Sequence, residues 1–235
     1  MSTVLDIITQ GLRESNNIGV GQSPSPNETT EALARLQSIV LSALGNEVGY
    51  IMEDWNVTAS DGVTRPSGVP MTAAAAAAWT VSPQARLICN LTAATTIKMD
   101  PLPQDGQRMA IVDAAGNFAT YALTLDGNGR KVVGGATKVY NTNDSAQQLL
   151  YRSDTANWHT LAPLLTTDDM PFPEEFDDYF ITMVAMRMNP RYGKELSESS
   201  VARLEQQRKQ LSVRYNQTRL RERGPGADPT AAPGQ

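Results

Sequence analysis

The chain has 235 residues, 40% of them hydrophobic and 19% charged, and carries a net charge of −5 at neutral pH. That is room for one large domain or two small ones with a real core, so the chain should fold. No apolar run approaches the ~20 residues that cross a bilayer, and Met1-Ser2-Thr3-Val4-Leu5-Asp6 lacks the basic start and apolar core of a signal peptide, so no membrane role is expected and synthesis in a cytoplasm is.

The first predicted helix opens on Thr3 and Asp6 at capping-box spacing, carries Val4, Leu5, Ile8 and Leu12 on one stripe, and ends at Asn16, Asn17 and Gly19. The second starts with Ser25 as N-cap, Pro26 in the first helical position and Glu28 reaching back. Leu33, Leu36, Val40, Ala43 and Leu44 give it a buried face as far as Gly45 or Gly49, and Tyr50, Ile51 and Trp55 extend that contact surface. From residue 56 the pattern dissolves into Ser, Gly and Pro and then an alanine run at 73–78, read as a connector because it is too short to hold a helix alone.

Residues 86–161 change character. Short alternating segments at 86–91, 95–99, 108–113, 121–125, 131–133, 137–140, 148–151 and 157–161 are separated by turn residues, with Asp126-Gly127-Asn128-Gly129 as a tight hairpin signal. This spacing suggests a compact sandwich or barrel. After the elbow at Pro171-Phe172-Pro173, a third helix begins on Glu174, Glu175, Asp177 and Asp178, acids that complement its dipole. Phe176, Tyr179, Phe180, Met183, Val184 and Met188 make its wide apolar face, and Asn189-Pro190 stops it. A fourth helix, capped near Ser197, has only a narrow stripe of Val201, Leu204, Leu211 and Tyr215. Residues 224–235, rich in Gly, Pro and Ala, read as a flexible tail.

Charge is unevenly spread. Residues 187–223 hold ten Lys and Arg against four acids, a balance of +6, whereas residues 1–55 hold two Arg against seven acids, a balance of −5. Ends of opposite sign favour association, within one chain or between neighbours, and nucleic acid is a third partner for the basic end.

Candidate chemistry is sparse. His159 is the only histidine, so metal sites with several histidines are excluded and a Ser-His-Asp scheme would rest on one strand position beside Trp158. A hydrogen-bonded surface or interface role suits His159 better. Cys89, the only cysteine, lies between Ile88 and Asn90 and reads as a small buried side chain. The acids at 174–178 are explained by their helix terminus before any hydrolytic role, and Asp126-Gly127-Asn128-Gly129-Arg130 lacks the downstream acid of a calcium loop. Tyr140 and Trp158 are candidates for a ligand-stacking surface on the β region. No catalytic group, metal or cofactor is expected.

Two resemblances add to this reading. Gln104-Asp105-Gly106-Gln107-Arg108-Met109-Ala110-Ile111-Val112-Asp113, followed by Gly116-Asn117-Phe118-Ala119 and Leu123-Thr124-Leu125-Asp126-Gly127-Asn128-Gly129, resembles a small β module of tail and virion proteins of tailed bacteriophages. The flanks, residues 33–55 and 176–211 with Tyr192-Gly193-Lys194-Glu195-Leu196, resemble the head-to-tail adaptor, or tail accessory factor, of short-tailed phages, and cover about half the chain. The adaptor resemblance implies a structural, non-enzymatic virion protein at the neck: a dodecameric ring beneath the portal protein, DNA passing through its lumen, and a C-terminal segment that orders along the portal.

The combined expectation is an α+β chain in which a bundle of about four helices, residues 1–55 and 170–223, carries an inserted small all-β sandwich or barrel at 80–165, followed by the tail at 224–235. Arg214, Tyr215, Arg219, Leu220, Arg221 and Arg223 are assigned to the portal, and Leu204, Arg208, Leu211, Phe176 and Phe180 to the interface between copies. The β region is expected to meet a tail, nozzle or fibre protein. The alternative is a tail-associated receptor- or glycan-binding protein whose β region holds the ligand. A cell-wall hydrolase resting on the acid cluster and His159 is the third reading.

Overall fold

The structure, a computed structural model, describes residues 1–43, 52–58, 63–64, 85–190 and 196–215. The expected end of the second helix, the alanine run, most of the 192–196 turn and the tail lie outside the described residues. The chain divides into two compact units, Met1–Glu47 with His159–Tyr215, and a second containing Val48–Trp158.

The first unit is built on helices α1 (Val4–Glu14), α2 (Pro26–Ala43), α3 (Asp177–Met188) and α4 (Glu198–Arg214), with a 3-10 turn, Glu174–Phe176, leading into α3. Both expected capping boxes form: Thr3 Oγ1 accepts from the Asp6 N–H while the Asp6 carboxylate accepts from the Thr3 N–H, and Ser25 and Glu28 repeat the arrangement. The buried face of α1 is Val4, Ile7, Ile8, Gly11 and Leu12, so Ile7 points inward and Leu5, expected inside, is 42% exposed. At Gly11 α1 lies close against α3, since a Cβ there would lie 2.8 Å from Val184 Cγ1. In α2, Ala32, Leu36, Ile39, Val40 and Ala43 are buried. Gln37 links the helix to the segment before α3, its amide donating to Leu161 O at 3.0 Å and accepting from the Leu164 N–H at 2.7 Å.

The second unit holds a mixed sheet of seven strands in the order β2-β1-β3-β5-β9-β10-β7 and a sheet of three, β4-β6-β8. Their ranges are β1 Glu53–Val57, β2 Val63–Thr64, β3 Ala85–Cys89, β4 Thr95–Lys98, β5 Arg108–Asp113, β6 Leu123–Asp126, β7 Lys131–Val132, β8 Thr137–Tyr140, β9 Ala146–Arg152 and β10 Asn157–Ala162. Side chains that alternate along the strands, among them Leu87, Cys89, Ile97, Met109, Ile111 and Leu125, meet in one apolar core with Phe118, Tyr140 and Trp158. Tight turns are enforced locally: at Gly127 a Cβ would fall 2.0 Å from Arg130 O, and Asn128 and Gly129 both adopt positive φ. The Asp113 carboxylate at the end of β5 accepts from the N–H groups of Asn117, Phe118 and Asp144, which closes the following loops.

These observations correct the expected fold class. The protein has mixed α/β content, four helices and two sheets among the described residues, and is not a helical bundle carrying a small all-β sandwich or barrel. Three features overturn that expectation. Strands β1, β3 and β5 run parallel, as do β4 and β6, whereas a small sandwich would be antiparallel throughout. β structure starts at Glu53, so Trp55 is a strand residue in the β core and not the extension of a helix face. Finally, β10 runs past Trp158 into His159–Ala162, residues that belong to the helical unit.

Candidate interaction surface

Helix α4 is largely exposed. Ser197 caps it, its hydroxyl accepting from the Ser200 N–H at 3.2 Å. Along its 17 residues only Leu211 is buried, with Tyr215 buried just beyond the end. The Tyr215 ring meets Phe172 edge-on at 5.3 Å, and Phe172 stacks on Phe180 at 5.1 Å. The apolar anchor of α4 is therefore confined to its last turn.

Ion pairs complete the attachment, and they come from the acid cluster. Glu175 pairs with Arg214 and Asp178 with Arg203, each at 2.5 Å. Glu174 pairs with the Met1 amino group at 2.5 Å, and Asp177 accepts from Ser2 Oγ at 2.5 Å. Four adjacent carboxylates thus have four separate partners, an arrangement that staples chain segments to the start of α3. Among the described residues no group of three or more His, Cys, Asp and Glu side chains is placed to hold a metal ion.

Beside α4 lies a groove of about 480 Å³ lined by Glu175, Phe176, Gln206, Lys209, Gln210, Val213 and Arg214. Its apolar lining is Val213 and the edge of Phe176; Lys209 supplies a cation, and Arg214 is paired with Glu175. The lining from α4 follows helical spacing, a second stripe beside the one through Leu204 and Leu211. That stripe escapes a hydropathy reading because its members are mostly polar.

The expected site residues fall into three groups. Arg208 and Arg214 are exposed on α4, and Leu204 is half-buried. Phe176, Phe180, Leu211 and Tyr215 are 4% exposed or less and pack inside the unit, and of the four only Phe176 lines the groove, by its exposed edge. Burial pushes the Tyr179 hydroxyl above its ordinary pKa, and Arg208 and Arg187 oppose that shift. Arg219, Leu220, Arg221 and Arg223 lie outside the described residues. Trp158 and Tyr140, assigned to a ligand surface, are 2% and 7% exposed and sit in the β core, where Trp158 meets Tyr151 at 5.4 Å. Tyr140 is the one buried residue of β8 and Trp158 lies in a run of buried residues along β10, so both rings are core packing and not a stacking surface. His159 is buried rather than at a surface. Cys89 is buried as expected, and burial together with the Asp113 charge pushes its thiol up to about 12.

No helix among the described residues is long and apolar enough to cross a membrane. No protein-family model matches the chain, and no curated protein matches it in sequence.

Proposed function

We propose that this chain is a structural protein of a short-tailed bacteriophage particle, a head-to-tail adaptor whose copies form a ring between portal and tail with the packaged DNA passing through the lumen. One observation carries the reading: α4 leaves nearly all of its surface bare, including Val201 and Val213 at 42% and 61% exposure and the Arg208 and Lys209 cations. A helix of that length secured only by its last turn and two exposed ion pairs is poorly rewarded in a lone subunit, and well suited to being covered in an assembly. The resemblance of the flanking segments to phage adaptors supports the same reading.

Such a protein acts by surface complementarity. Repeated copies multiply weak contacts, so a subunit that barely associates alone is retained on a preformed ring through avidity. Arg214 and Tyr215, with Arg219, Leu220, Arg221 and Arg223 further along the chain, are the residues assigned to the portal. The hydrolase reading loses its acids to their four structural partners, and the receptor reading loses Trp158 and Tyr140 to the core.

The test is binding to purified portal rings of the same particle. Stoichiometric binding of the full chain, lost when residues 216–235 are removed, is the expected outcome. Binding unchanged by that truncation takes the tail out of the account, and no binding by the full chain overturns the adaptor.

A further inference from the structure

Two surfaces of the helical unit match in charge and in apolar content. The first is the groove beside α4, with Val213 and the edge of Phe176 as its apolar lining and Lys209 beside them. Arg214 is engaged by Glu175, whereas Lys209 enters no ion pair among the described residues. The second is the strip where the first turn of α1 meets residues 165–169. The Leu5 N–H donates to Thr166 O at 3.2 Å and the Val4 N–H to Asp168 O at 2.9 Å. Leu5 and Leu165 stand there 42% and 60% exposed, beside the carboxylates of Asp6, Asp168 and Asp169.

We propose that the groove seats a second copy of this chain, which contributes the Leu5–Leu165 strip to the apolar lining around Val213 and its carboxylates to Lys209. The inference rests on the reading that copies assemble, and it names the contact. Two leucines in water beside carboxylates gain by entering an apolar groove, and the acids then meet Lys209, a cation with no ion pair among the described residues. Because the two patches are different, the contact is heterologous, and such contacts close into rings when the rotation between copies allows. Val20, 99% exposed on the loop between α1 and α2, belongs to neither patch and serves as a control position.

The experiment mixes full-length chains that each carry one new cysteine, Leu165→Cys in one and Val213→Cys in the other, with a short bis-maleimide. It is run free in solution and on purified portal rings. Separate chains exclude a link within one subunit, and Cys89 is buried. The expected result is a cross-link formed roughly tenfold or more faster than between Val20→Cys and Val213→Cys chains. Adding Lys209→Glu to the Val213→Cys chain slows it, and adding Asp169→Lys to the Leu165→Cys chain restores it. Cross-linking at the control rate in both settings, or no rescue by the paired reversal, overturns the contact. Portal binding without the cross-link leaves the adaptor standing and removes the contact; the cross-link without portal binding does the reverse.

Discussion

Single residues set the close approaches of this chain. Gly11 lets α1 lie against α3, and an added methyl would meet Val184 Cγ1 at 2.8 Å and Ile181 O at 3.1 Å. Alanine is the better helix former by about 1 kcal/mol, but overpacking a close contact costs about 1–3 kcal/mol. Gly11→Ala is therefore expected to lower stability in urea denaturation, and a higher midpoint would show that the helices separate freely. Cys89 gives a second test. With its thiol pushed up to about 12 by burial and by Asp113, it is expected to resist alkylation at pH 8 until the β unit unfolds. Labelling of the native protein at the rate of a small-molecule thiol would contradict the described core. The position of Cys89 between two larger residues was enough to read it as buried. The burial of Trp158 was harder to read, because an aromatic in a strand suits a ligand face as well as a core until pairing decides which way it points.

Among the elements, α4 is distinguished by how little holds it. Leu211→Ala removes its only buried residue and is expected to cost about 2–5 kcal/mol, with amide exchange rising along Glu198–Arg214 before it rises in α1 to α3. Uniform exchange across all four helices would mean that α4 is not separately attached. The capping boxes predict a pH response. Hydrogen bonds from Thr3 lower the Asp6 pKa below its ordinary 3.8, and those from Ser25 lower that of Glu28 below 4.5. A depressed folded value stabilises above the ordinary pKa, and that contribution is lost as pH falls through the folded value. Stability should decline more shallowly below those values in Asp6→Asn than in the unchanged protein; equal slopes in denaturation series would refute the role of the Thr3 cap. These boxes were legible because they are local, with partners three residues apart. The staples from Glu175 to Arg214 and from Asp178 to Arg203 were not, since a helix terminus alone accounts for the acids and their partners lie far along the chain.

In the whole molecule, what sequence could not supply was pairing. Alternation placed all the strands from β3 to β10, yet spacing does not encode direction, and a sandwich was the expectation where a mixed sheet forms. Tyr50, Ile51 and Trp55 read in sequence as an extension of the α2 contact surface, whereas Trp55 lies in β1, whose parallel partner β3 follows only after a long interval of chain. Of the two units, the helical one carries the exposed α4 and the groove beside it. The most direct measurement is an image of purified portal rings incubated with the full chain. The account predicts an added annulus of repeated copies bearing the symmetry of the portal. Rings that stay bare, or that hold isolated single copies, would contradict it.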